Sequence, residues 1–136
     1  METIMNKRLK LFKNQKGLTL IELLAVIVVL GIIAAIAVPS VSSIIRQSKL
    51  NADLSSYRVI KDAGLRYAMV KGTTGDVALN QLQSDGYLND LPKVQSDRLK
   101  EFTKVNITLE SNTYKVEVYG KDNNDQEIPI NESTFE

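Results

Sequence analysis

The chain has 136 residues, the length of one ordinary domain, with 43% apolar and 24% charged residues and a formal net charge of +1. This balance excludes a disordered acidic tail, a collagen and a strongly basic nucleic-acid module. A sequence without Cys or His has no disulfide scaffold and no thiolate metal site, and it lacks the commonest general base. The information lies in the distribution. Of the 21 residues from Leu18 to Val38, 18 are apolar. Formal charge is +4 over residues 1–17, −1 over 18–45, +4 over 46–71 and −6 over 72–136.

Residues 1–17 carry Lys7, Arg8, Lys10, Lys13 and Lys16 against Glu2. The run Leu18–Val38 follows, and as a helix it spans roughly 31 Å, close to the hydrocarbon thickness of a bilayer. Cations before an apolar span hold the N-terminus in the cytoplasm, so everything after Val38 is expected outside it. Three readings compete for this segment. One is a plain signal anchor. Another is a secretory signal peptide ending at the small-x-small triplet Ala35-Ile36-Ala37, although the apolar run is longer than usual and Glu22 interrupts its start. The third rests on Lys16-Gly17-Leu18-Thr19-Leu20-Ile21-Glu22, which resembles the prepilin signal of the type IV pilin and pseudopilin superfamily.

That resemblance covers residues 17–40 closely and the rest of the chain only in architecture. It implies cleavage by a prepilin peptidase between Gly17 and Leu18, N-methylation of Leu18, and a Glu at the fifth position after the cut, which is Glu22. Members usually begin with Phe, whereas this chain offers Leu18. Many members also carry Gly and Pro where this sequence has Gly31 and Pro39. A carboxylate within a membrane helix costs roughly 2.5–3.5 kcal/mol and is rarely retained without a partner. The resemblance supplies one, the new α-amine of Leu18 on a neighbouring subunit, in a pair that sets axial register more than stability. The plainer alternative is a Glu snorkelling to the interface. Gly31 and Pro39 weaken helix continuity, since Pro39 removes the N–H that would bond the carbonyl of Ala35. A kinked continuous helix is preferred to a helix end because apolar periodicity resumes directly.

From Val41 the pattern is amphipathic, with apolar residues at 41, 44, 45, 52, 59, 60, 63, 67 and 70. Between them stand Arg46, Lys49, Arg58, Lys61, Arg66 and Lys71, offset by Asp53 and Asp62. A cationic face can collect nucleic-acid phosphate. A solvated face is favoured over DNA binding because the segment 72–136 carries a net −6. Lys71-Gly72-Thr73-Thr74-Gly75 ends the helix. Residues 77–91 read as a short helix followed by a turn at Asp85-Gly86. Tyr87-Leu88 and Leu91-Pro92 come next, a stretch similar to the helix-to-sheet loop of many pseudopilins. Val105, Ile107 and Leu109 alternate with polar residues, as do Tyr114, Val116 and Val118, predicting two strands joined at Ser111-Asn112. A third strand near Gln126–Ile130 is confined to an edge by Pro129.

Asp122, Asp125 and Glu127 lie in a polar run whose composition could ligate Ca²⁺, the single cofactor candidate, but the run lacks EF-hand spacing and an ordinary polar turn is favoured. Asn106-Ile107-Thr108 and Asn131-Glu132-Ser133 match the glycosylation sequon, a weak signal here. No nucleophile–base pair, paired carboxylates or phosphate loop points to an enzyme. The expected class is α+β, a long N-terminal helix packed on a small antiparallel sheet. Its expected parts are a leader (1–17), an apolar helix half (18–39), an amphipathic half (40–71) and an extracytoplasmic head (72–136). The resemblance implies a structural subunit held in the plasma membrane and then polymerised into a homo-oligomeric helical filament. Implied partners are minor pilins, the prepilin peptidase, a platform protein, an ATPase machine and the lipid bilayer. An adhesive or motile pilus, a secretion pseudopilus and a DNA-uptake pseudopilus remain open. The alternative outside this class is a signal-anchored extracytoplasmic binding protein that does not assemble.

Overall fold

The computed structural model describes residues 17–136 with their side chains; the leader residues 1–16 lie outside the described residues. Helix α1 is assigned as Glu2–Lys71. It is followed by β1 (Gly75–Ala78), α2 (Leu79–Ser84), β2 (Glu101–Glu110), β3 (Thr113–Lys121), β4 (Glu127–Ile130) and a 3₁₀ turn, Glu132–Phe135. The chain divides into two compact units, Met1–Ile44 and Ile45–Glu136. This is the α+β class expected from the sequence.

In the first unit, every described residue from Gly17 to Ile44 is exposed. Helix α1 continues through Pro39. Just beyond it, Ser40 Oγ donates to the Ile36 carbonyl (3.1 Å), Ser42 Oγ to that of Val38 (3.0 Å) and Ser43 Oγ to that of Ser40 (2.8 Å). These hydroxyls are satisfied by their own helix, which makes them compatible with an apolar surrounding.

In the second unit the core stripe of α1 is Leu50, Asp53, Tyr57, Ile60, Ala63, Gly64, Tyr67 and Ala68, a spacing of three and four. Of the apolar positions expected to face inward, Ile60, Ala63 and Tyr67 do so. Val41, Ile44, Ile45, Ala52, Val59 and Val70 are exposed. The stripe runs one step round the helix because small residues, not branched ones, sit where the sheet comes closest. A Cβ on Gly64 would lie 2.9 Å from Val116 Cγ1 and 3.3 Å from Val105 Cγ2. The helix ends at Gly72, whose N–H bonds the Ala68 carbonyl (2.8 Å) and whose φ of 64° is the left-handed cap that glycine favours.

The sheet is antiparallel in the order β1-β2-β3-β4. Strand β1 was not expected: Gly75 read as part of the turn that ends α1, and Val77 and Ala78 as the start of a short helix. Pairing of Val77 with Val105 draws them into the sheet before the six-residue α2 begins. The β2–β3 hairpin falls where the alternation predicts it. Ser111 (φ 49°) and Asn112 (φ 64°) form a two-residue turn with both residues left-handed, whose twist matches that of the strands. A bulge between Phe102 and Lys104 lets Phe102 and Val105, three apart, both face the core. Strand β4 pairs only with β3, so Pro129 stands on an edge as expected. Val105, Ile107, Val116 and Val118 pack with Ile60, Leu82 and Phe135 in one cluster.

Candidate functional site

The surface that stands out is the stem itself. From Leu18 to Ile45, 17 large apolar side chains are each 50–69% exposed. Helix residues shield one another, so these values describe side chains directed fully outward. Burying one such side chain contributes about 1.5–3 kcal/mol, so the stem as a whole forgoes tens of kcal/mol wherever it meets water. A helix from Gly17 onward is long and apolar enough to cross a membrane. Glu22 lies on this stem, exposed and making no ion pair among the described residues. Its insertion cost of roughly 3 kcal/mol is an order of magnitude below what the apolar surface gains. The carboxylate is therefore tolerated by the stem, not forced out of it.

The other residues singled out in the sequence fall along the same helix. Gly17 and Gly31 face open space, with nothing within 4 Å of a Cβ built on either. Leu18 is 66% exposed. Pro39 sits inside the helix. All of Arg46, Lys49, Arg58, Lys61, Arg66 and Lys71 are exposed. Arg58 meets Glu132 at 3.2 Å, and the Lys61 ammonium lies 5.8 Å from the Tyr57 ring centroid, within cation–π range.

The acidic run after β3 is a hairpin turn. Asp122 Oδ1 accepts from the N–H groups of Asn124 and Gln126, both at 2.9 Å. Asp125 is paired with Lys100, whose ammonium holds its carboxyl below the ordinary value. Glu127 bonds Lys104 (2.9 Å) and Thr103 (3.0 Å). The three carboxylates thus turn to three separate partners. Among the described residues, no group of three or more acids is placed to hold a metal ion. Both sequon asparagines are also engaged: Asn106 donates to Asp76, and Asn131 caps the 3₁₀ turn.

Two features escaped the sequence reading. The outer face of the sheet carries a network in which Lys104 bridges Asp76 (2.8 Å) and Glu127 (2.9 Å), tying β1, β2 and β4 together. Hydrogen bonds that Lys104 donates to Asp76 and Glu127 hold its ammonium above its ordinary value. The second is Asp53, fully buried on α1. It accepts from the N–H groups of Gln95 (2.7 Å) and Ser96 (2.9 Å) and from Ser96 Oγ, pinning the loop before β2 to the helix. Its signal was available: Asp53 stands three residues after Leu50 and four before Tyr57, in line with the core stripe.

Comparison with known proteins places these features. The Prokaryotic N-terminal methylation motif family matches residues 12–38, which takes in Gly17, Leu18, Glu22 and most of the exposed stem. Type II secretion system core protein G of Pseudomonas aeruginosa is 35% identical over 95 residues, 59% of this chain and 67% of that protein. No solved structure matches the chain significantly. With a methylation motif at the start of an outward-facing apolar stem, and a relative aligned over most of its own length, the chain belongs to the type IV pilin and pseudopilin superfamily.

Proposed function

We propose that the chain is a filament-subunit precursor, cleaved between Gly17 and Leu18 by a prepilin peptidase, N-methylated on Leu18 and polymerised through its stem. The observation that carries this reading is the stem surface, on which 17 outward apolar side chains surround one carboxylate, Glu22. Such a surface is stable in lipid as a single subunit and in a bundle of like stems after extraction. In the bundle, Glu22 needs a cation, and the methylated α-amine of Leu18 on the adjoining copy supplies it. Gly31 and Pro39 serve as points where the stem adjusts as it passes from bilayer to bundle. The subunit waits in the plasma membrane with its N-terminus in the cytoplasm and its head outside. A platform protein, an ATPase machine and minor pilins take part in its assembly. Among the three uses of such filaments, the secretion pseudopilus is favoured, because the relative is named for a type II secretion system.

The test is mass spectrometry of the mature N-terminus. N-methyl-Leu18 is the expected result. A terminus at Val38, or an intact Met1, overturns the reading in favour of a secreted or anchored binding protein. Glu22→Ala is expected to insert in the membrane and to lose filaments, and normal filaments from that variant remove Glu22 from the scheme.

A further inference from the structure

The sheet is left unfinished on one side. The Ser111–Asn112 turn is closed by the pair Glu110 and Thr113, so Thr113, Lys115 and Glu117 exchange backbone hydrogen bonds with β2. Tyr114 and Val116 therefore turn their N–H and C=O groups the other way. Strand β4 occupies that side only from Val118 to Lys121, after which the chain leaves the sheet for the 3₁₀ turn. From Thr113 to Glu117 the edge is open among the described residues. Beside it, a groove of about 500 Å³ lies between β3 and α1, lined by Tyr57, Lys61, Leu65, Tyr114 and Val116 among others. An open edge beside an apolar groove is the arrangement that takes an extended segment as an added strand.

A segment of matching character lies at another border of the head. Residues 90–94 are irregular, and their backbone makes no hydrogen bond with the described residues. They carry an exposed carboxylate, Asp90, next to Leu91, a large apolar side chain 39% exposed. Pro92 is acceptable in an added strand when its nitrogen faces away from the sheet, which leaves the N–H groups of Leu91 and Lys93 for pairing. This segment lines a cavity with Leu79 and Phe102 beside α2, which packs on β1 and β2, whereas the open edge belongs to β3. A contact between the two surfaces on successive copies is heterologous, the kind that propagates as an open helix. Lys61, Lys115 and Glu117 border the open edge, with Lys115 3.4 Å from Glu117. The incoming segment leads with Asp90, which offers Lys115 a second carboxylate, and carries Lys93 three residues on.

We propose that the open β3 edge takes the Asp90–Val94 segment of a neighbouring copy as an added strand, with Leu91 in the Tyr57–Leu65–Tyr114 groove and Asp90 against Lys115. The proposal rests on the filament reading above. The chain has no cysteine, which gives a clean test. In filaments from cells expressing the Asp90→Cys, Lys115→Cys double variant, mild oxidation is expected to give a ladder of covalent multimers that neither single variant gives. Lys115→Glu and Asp90→Lys are each expected to lower filament yield several-fold, and the two together to restore it. Filaments of normal yield that release only monomer after oxidation, with no charge-swap rescue, overturn the edge contact and leave the filament reading standing. A wild-type chain with no N-methyl-Leu18 and no filaments overturns both.

Discussion

Replacing Asp53 by Ala tests whether the head depends on a buried carboxylate that holds a loop with no regular structure. Asp53 is fully buried and pairs with no cation among the described residues; three donors from Gln95 and Ser96 compensate it instead. A hydrogen bond to a charged group contributes about 1.5–3 kcal/mol, so the three together set an upper limit near 9 kcal/mol. The loop lowers that figure, because Gln95 is exposed and Ser96 half-buried, and both can turn their N–H groups to water once the acceptor is gone. What persists is the cavity, the lost ordering of the loop and the part of the donors still shielded, a net cost of about 2–4 kcal/mol. Asp53→Asn keeps one acceptor oxygen but aims an amide N–H at a donor, and should cost about 1–3 kcal/mol.

For a unit the size of Ile45–Glu136, such losses lower Tm by about 10–25 °C for Ala, and by less for Asn. The assay is thermal melting of the full chain in nanodiscs, followed by near-UV circular dichroism of the head tyrosines. Amide hydrogen exchange should show Gln95 and Ser96 losing protection in both variants before any global change. If Asp53→Ala melts within about 2 °C of the parent with unchanged exchange at those two amides, the carboxylate does not hold the loop.

Gly120→Ala should lower stability by about 3 kcal/mol in a denaturant titration, because its Cβ would lie 2.5 Å from Ile130 Cδ1 and 2.6 Å from the Glu101 carbonyl oxygen, which is fixed backbone. Placing Asn-Gly in the hairpin turn, by Ser111→Asn with Asn112→Gly, should raise the denaturation midpoint by the equivalent of about 1 kcal/mol without changing its slope, since both positions are left-handed. Lys104→Gln should weaken the head most near neutral pH. Hydrogen bonds from Lys104 hold Asp76 and Glu127 below their ordinary values of 3.8 and 4.5, so their contribution is complete above those values and fades as pH falls through the lowered ones. Lys104 itself is held above its ordinary value of 10.5, so its contribution survives until the strongly alkaline range. Melting temperatures of parent and variant should therefore converge in acid and in high salt, and a gap that widens in acid refutes the assignment.

The stem and the β2–β3 hairpin were legible because each is governed by one local rule. An unbroken apolar run has few fates, and strict alternation around Ser111-Asn112 fixes both the strands and their register. Pro129 marked its edge for the same reason, having no N–H to give. The face of α1 that enters the head was harder to read, because close approach to Val105 and Val116 selects Gly64, Ala63 and Ala68, which a search for large apolar residues passes over. Strand β1 was hidden by tertiary preference: four residues with little strand character are held by pairing with β2. Asp53 was counted as one of two acids offsetting a basic face, when its spacing from Leu50 and Tyr57 already put it on the inner one. The acidic turn read as a weak Ca²⁺ candidate because composition alone does not say which carboxylate a lysine will take, and Lys100 and Lys104 take two of the three.

The two units draw their stability from different sources, and that separates two kinds of variant. The head has its own core, with Ile60, Leu82, Val105, Ile107 and Val118 almost wholly removed from solvent. The stem has none, and its free energy is set by whatever surrounds it, lipid or a bundle of like helices. Sites that share no partner act additively. Glu22→Ala should therefore leave the melting temperature of the head unchanged while altering assembly. Asp53→Asn should lower that temperature while leaving the stem as good a membrane span as before. A Glu22→Ala chain whose head melts several degrees lower would show that the units are energetically coupled. Loss of filaments in that variant could then no longer be assigned to the carboxylate's place in the bundle.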